Sequence, residues 1–166
     1  MQTLYPQPLT ADAFAPYGEV LETTGDPDKI INDGLCGRWH DRARLDFGAE
    51  TTPPGRAGIS LFLAEPRALP YRLTHLERHP LGAQAFIPMH AHPFLVIVAP
   101  DEDGQPGTPL AFLTNGAQGV NYRRGTWHGV LTPLAAPGLF AVIDRIGEGK
   151  NLQEHHLTAP LLITEA

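Results

Sequence analysis

The side chains with chemistry to offer gather in two stretches of this 166-residue chain, His75-Leu-Glu-Arg-His-Pro-Leu-Gly-Ala-Gln-Ala-Phe-Ile-Pro88 and Gly119-Val-Asn-Tyr-Arg-Arg-Gly-Thr-Trp-His128. Alternate side chains of an extended strand share a face, so His75, Glu77 and His79 point one way while Leu76 and Arg78 point the other. Gln84 and His128 join the first face if the two stretches lie on neighbouring strands. Imidazoles and a carboxylate drawn together inside an apolar barrel are costly to desolvate, and such clusters serve binding or proton transfer. The plain alternative is a solvated strand face bearing polar residues.

The elements that position these residues are predicted to be short strands. Seventeen glycines and seventeen prolines leave little room for long helices. Strands are expected at Gly18–Glu22, Lys29–Asn32, Ala43–Phe47, Ala57–Leu63, Tyr71–His79, Gln84–Pro88, Phe94–Val98, Leu110–Thr114, Gly119–Tyr122, Gly129–Leu131, Leu139–Arg145 and Glu154–Leu157, each bounded by Gly, Pro, Asp or Asn. Thr10 is placed to cap a short helix that Pro16 and Gly18 end early. The fold class is therefore all-β, a cupin-like double-sheet barrel of the jelly-roll kind with one or two short helices. One domain spanning residues 1–166 is expected. The stretches Glu50–Gly55 and Asp101–Pro109 read as exposed loops, because the strand pattern resumes directly after each.

Composition narrows the class of partner. A net charge of −6 with dispersed acidic residues argues against nucleic-acid or anionic-membrane surfaces and favours a small-molecule partner. The single cysteine, Cys36, has no internal disulfide partner, and the N-terminal residues lack the basic and apolar regions of a signal peptide, so a cytoplasmic location is expected. No apolar run approaches the roughly 20 residues of a membrane helix.

The two opening stretches resemble the two cupin motifs. Glu77-Arg-His79 followed by Gln84 is similar to the first, His-x-His and a later Glu; Arg123-Arg-Gly125-Thr-Trp-His128 is similar to the second. Two positions depart: Glu77 stands where a cupin places a metal His, and Gln84 where it places Glu. Within that superfamily the strings Ile31-Asn-Asp-Gly34, Trp39-His-Asp41, Glu77-Arg-His-Pro-Leu-Gly82, Gln84-Ala-Phe-Ile-Pro88, Thr114-Asn-Gly116, Gln118-Gly-Val-Asn-Tyr122 and Trp127-His128 resemble the ureidoglycolate lyase family of allantoin degradation, in order over nearly the whole chain. The family pattern leads one to expect Tyr at Trp39, His at Arg123 and His-Pro-Leu at Gly129-Val-Leu131.

The resemblance implies a carbon–nitrogen lyase that cleaves (S)-ureidoglycolate to glyoxylate and urea. Ureidoglycolate is a carbinolamide, so a base must take its hydroxyl proton and an acid must protonate the departing nitrogen. His79, His128 and Glu77 are the catalytic candidates, with the division of acid and base left open. Substrate-binding candidates are Arg38, Gln84, Asn32 and Tyr122; Arg38 is the first choice for the carboxylate, with Arg123 or Arg78 as substitutes. If a metal is present, Glu77, His79, Gln84 and His128 would hold it. The resemblance suggests a divalent ion such as nickel, and a metal-free site is the competing reading, since a neutral amide is a poorer ligand than a carboxylate. A homodimer is implied by the family alone. The alternative function is a cupin that binds a small polar ligand, or a different cupin enzyme.

Other polar residues have simpler readings. His75 lies outside the matching strings and reads as an edge residue. His90 and His92 form a His-x-His in a Pro-flanked turn with no carboxylate at ligand spacing, so a solvated loop is the better reading. Adjacent His155 and His156 would face opposite ways on a strand. Cys36 reads as a small buried hydrophobe.

Overall fold

The computed structural model describes residues 2–165. In chain order the strands are β1 (Thr3–Leu4), β2 (Gln7–Pro8), β3 (Gly18–Leu21), β4 (Lys29–Ile31), β5 (Cys36–Arg38), β6 (Arg56–Leu63), β7 (Tyr71–Arg78), β8 (Gln84–Pro88) and β9 (Phe94–Ala99). They continue with β10 (Asp101–Glu102), β11 (Gln105–Pro106), β12 (Leu110–Leu113), β13 (Gly119–Tyr122), β14 (Trp127–His128), β15 (Thr132–Pro133), β16 (Leu139–Ile146) and β17 (Gln153–Ile163). A helix, α1 (Ala11–Phe14), follows Thr10, whose hydroxyl accepts from the Ala13 amide as an N-cap should.

Two sheets carry the architecture. One runs β1-β17-β7-β14-β9-β12-β2 with β15 also on β9; the other runs β3-β13-β8-β16-β6. This is the cupin-like double-sheet barrel expected from the sequence, nearly all β. None of its described helices is long and apolar enough to cross a membrane.

Strand β9 shows how the sheets are held. All six of its residues are buried. Phe94, Val96 and Val98 enter one apolar cluster with Phe14, Phe86, Val120, Phe140 and Val142, while Leu95, Ile97 and Ala99 enter a second with Leu73, Leu76, Trp127 and Ile163. A strand apolar on both faces requires cover on both, which is why β9 is central. Strand β7 differs: Leu76 joins the second cluster, leaving Glu77 facing the opposite way, between the sheets.

Some expected strands change. Ala43–Phe47 is irregular, because its backbone finds other partners: the Arg44 carbonyl accepts from Asn121 Nδ2 and the Asp46 carbonyl from the Ala83 amide. Gly129–Leu131 is not a strand; pairing with β9 is made instead by β14 and β15 on either side. A Cβ on Gly129 would lie 3.0 Å from Ile97 Cβ, so only glycine passes comfortably so close to β9. The last strand runs on from the predicted Glu154–Leu157 to Ile163, with a register shift between His156 and Leu161 that absorbs Pro160.

Candidate active site

Strand β14 is only two residues long, yet its pairing decides the site. It lies between β7 and β9 and sets His128 directly across from Glu77. His79 follows the end of β7, and its carbonyl accepts from the Gly125 amide in the turn before β14. Gly125 holds a φ of +78°, the left-handed conformation that favours glycine. The rings of His79 and His128 are 5.2 Å apart. One ligand atom from each of Glu77, His79 and His128 lies within 4.8 Å of the others.

Hydrogen bonds define which ring nitrogens are free. His79 Nδ1 is 2.7 Å from the Asn151 carbonyl oxygen, and His128 Nδ1 is 2.9 Å from that of Gly129. A carbonyl only accepts, so each Nδ1 carries the proton and each Nε2 presents a lone pair. Both Nε2 atoms are buried and without a partner. Burial holds His128 neutral, its pKa lowered to about 3, with His79 adding to the fall. Burial also raises the Glu77 carboxyl above the ordinary carboxylate range, against the pull of His79 and His75 and with a push from Glu154. Tyr122 stacks on His128 at 4.4 Å and 10°, and burial followed by the Glu77 charge raises its phenol.

Gln84 occupies the same interior. It pairs with Tyr122 in register, so the two side chains share a face, and only 7% of Gln84 is exposed. Its Nε2 donates to Asp144 Oδ2 at 3.2 Å while Oε1 is buried without a partner.

Asn32 and Arg38 are not brought to this cluster. They lie on the separate β4–β5 hairpin and are exposed. Asn32 sits at the turn with φ +54°, and Arg38 Nη2 is 2.8 Å from His40 Nδ1. Arg38 is the first choice from sequence because it stands in a matching string between the polar Asn32 and His40, but that string folds as a two-stranded sheet separate from the two that carry the cluster. The substitute arginines are engaged elsewhere: Arg78 pairs with Asp101 over the Trp127 ring, and Arg123 reaches Glu19 and the Ala15 carbonyl. His75 faces His156 across β7 and β17 at 5.3 Å between rings, next to Glu77 on the same face.

The sequence reading missed two residues. Asn151 fixes His79 through its backbone and holds the Leu81 amide through its side chain at 2.8 Å. Asp144 faces Gln84. Neither belongs to a local motif; each reaches the site across at least sixty residues of chain.

The donor set fits a divalent cation: two imidazole lone pairs, each oriented by a carbonyl behind it, and a carboxylate. The same set fits proton transfer.

Comparison with known proteins settles the lineage. The ureidoglycolate lyase family model matches residues 1–164. The chain belongs to the ureidoglycolate lyase family. A protein of Rhodobacter capsulatus named ureidoglycolate lyase is 59% identical over 163 residues, covering 98% of this chain and 99% of its own. Its namesake in Chelativorans sp. is 48% identical over 160 residues, 96% of this chain and 95% of that one. Ureidoglycolate lyase 2 of Rhizobium meliloti is 48% identical over 160 residues, 96% of each.

Proposed function

We propose that the chain is a carbon–nitrogen lyase that splits ureidoglycolate into glyoxylate and urea, in allantoin degradation. The carrying observation is the convergence of Glu77 with two histidines whose Nε2 lone pairs are bare, in a chain whose relatives bear that name. The reaction is a retro-addition: the hydroxyl proton leaves, the carbonyl of glyoxylate forms, and the C–N electron pair goes to nitrogen, which takes a proton. No nucleophile and no water are consumed.

The residues divide these tasks by their protonation. His79 Nε2 accepts the hydroxyl proton. His128, fully neutral near pH 7, orients the oxygen and does not serve as the acid. Glu77, with its raised pKa, is the carboxyl best suited to carry a proton to the departing nitrogen. Tyr122 walls the site against His128, and Gln84 binds the ureido end. The lone pairs of Glu77, His79 and His128 would alternatively hold a divalent ion, in place of this proton transfer by His79 and Glu77, and the ion would then supply Lewis-acid polarisation and positive charge for the substrate carboxylate.

Incubation with racemic ureidoglycolate, with and without divalent metal, tests the reading. Enantioselective release of glyoxylate and urea above the spontaneous rate is expected. Ammonia and carbon dioxide in place of urea would make it an amidohydrolase, and no acceleration at all would leave the small-ligand-binding cupin.

Homodimerisation belongs to the same proposal. Edge strand β6 exposes Ile59 (75%), Leu61 (67%) and Leu63 (73%) on one face, with no charge or proline between Ala57 and Leu63. Antiparallel pairing with a second copy centred on Leu61 places Ile59 beside Leu63, so the strip is self-complementary. Light scattering should report a dimer that Leu61→Arg dissociates; a monomeric parent chain would overturn this.

A further inference from the structure

Asp144 lies directly opposite Gln84, on β16 beside β8, and accepts from its amide nitrogen at 3.2 Å. A carboxylate can only accept hydrogen bonds, so the amide must turn its nitrogen to Asp144 and its oxygen away. The opposite rotamer would set two oxygens against each other. The oxygen so directed, Gln84 Oε1, is buried and has no partner. On the other flank of Gln84, on the same face, stands Tyr122, which stacks on His128, so one ring separates the Gln84 strand position from the catalytic cluster. A buried carbonyl oxygen with no donor carries an unrecovered desolvation cost, and it selects ligands that bring an N–H.

We propose that Asp144 is a positioning residue that sets specificity: it locks the Gln84 amide with Oε1 inward, where Oε1 accepts an N–H from the ureido end of the substrate. This rests on the lyase reading and assigns the ureido subsite within it. The ureido group has N–H donors to give; glyoxylate in the aldehyde form released by the reaction has none. A site built around an acceptor discriminates strongly against an oxygen-only group in that position, because two acceptors would face each other.

The two products separate the two halves of the site, so product inhibition of the full-length enzyme is the test. Asp144→Asn keeps the size of the side chain but offers an amide N–H, which frees Gln84 to turn over. The expected result is a KM for ureidoglycolate raised about tenfold with kcat within about twofold, inhibition by urea weakened about tenfold, and inhibition by glyoxylate unchanged. Gln84→Met should weaken urea inhibition to the same degree, and the double variant should add nothing. Unchanged urea inhibition in Asp144→Asn overturns the proposal. So does a loss that falls equally on urea and glyoxylate, which marks general structural damage, or a fall in bound divalent metal, which would place Oε1 on an ion. If Asp144→Asn does not fold, Asp144→Ser, which replaces the fixed acceptor with a rotatable hydroxyl, is read for the same outcomes. A parent chain without lyase activity refutes the functional reading separately; urea binding, followed by saturation-transfer NMR, must then still weaken in Asp144→Asn for the amide lock to stand.

Discussion

Two histidine pairs in this protein look alike and differ in the one respect that matters. The rings of His90 and His92 stack at 5.7 Å, close to the 5.2 Å between His79 and His128, and His90 Nε2 is buried without a partner just as the other two are. But His90 Nδ1 accepts from the His92 backbone amide at 3.1 Å, so its proton sits on Nε2 and the free nitrogen is a donor. In His79 and His128 a carbonyl stands in the place of that amide, and the free nitrogen is a lone pair. The His90 ring packs edge-on against Phe140 at 4.8 Å, where burial lowers its pKa, and the pair is not part of the carboxylate cluster. A His-x-His in sequence is therefore less informative than two histidines 49 positions apart whose tautomers are set by backbone carbonyls and which meet at Glu77.

Turnover separates the two histidine pairs most strongly. His79→Ala and His128→Ala should each lower kcat by at least about a hundredfold, while His90→Ala and His92→Ala leave it within about twofold. Near-normal turnover of His79→Ala would remove it from the catalytic role. Metal analysis of protein purified without chelator sharpens the same contrast: any bound divalent ion should be lost in His79→Ala or His128→Ala and kept in His90→Ala.

Acid stability separates the pairs by degree. A histidine depressed in the fold from its ordinary value to about 3 contributes stability that is complete above about pH 6.5 and lost as pH falls toward 3, since the unfolded chain binds the proton first. In chelator-treated protein, His128 should make stability fall by a few kcal/mol across that window, and His128→Phe should flatten the curve. His90→Phe should flatten it less, because the depression there is smaller. A denaturant titration at pH 7 and pH 4 checks both. The smallest effect is expected at Asn151→Ala, which removes the bond to the Leu81 amide and loosens the turn behind His79; a fall in kcat of roughly fivefold with an unchanged pH profile would mark positioning, in line with the loss of about one hydrogen bond.

Much of the frame was legible in the chain. Gln84–Pro88 and Gly119–Tyr122 appear as read, because each is a short, largely apolar run that ends at Pro88 or before the Arg123-Arg124 pair. Thr10 caps α1 as its neighbours implied. The period of two placed His75, Glu77 and His79 on one face with Leu76 and Arg78 on the other, and the structure keeps Leu76 in the core and Arg78 on Trp127. The Ala43–Phe47 segment misled, since strand-like composition says nothing about whether a neighbouring edge is available, and here side-chain and loop partners took its backbone. Arg38 and Asn32 lie apart from the cluster for a related reason: nearness in sequence to matching residues does not decide which layer a hairpin joins.

By itself, then, the sequence determined what is local: strand periodicity, turns, the cap, and the identity of the residues able to move protons or hold an ion. Only the tertiary structure decided which of them meet. The register of two-residue β14 against β7 set His128 on Glu77, the Asn151 and Gly129 carbonyls chose the tautomers, and Asp144 chose the face of the Gln84 amide. Each of these is a contact whose donor or acceptor is not announced by the residues around it, because a hydrogen bond fixes a proton or an amide only when the fold brings its partner to within about 3 Å.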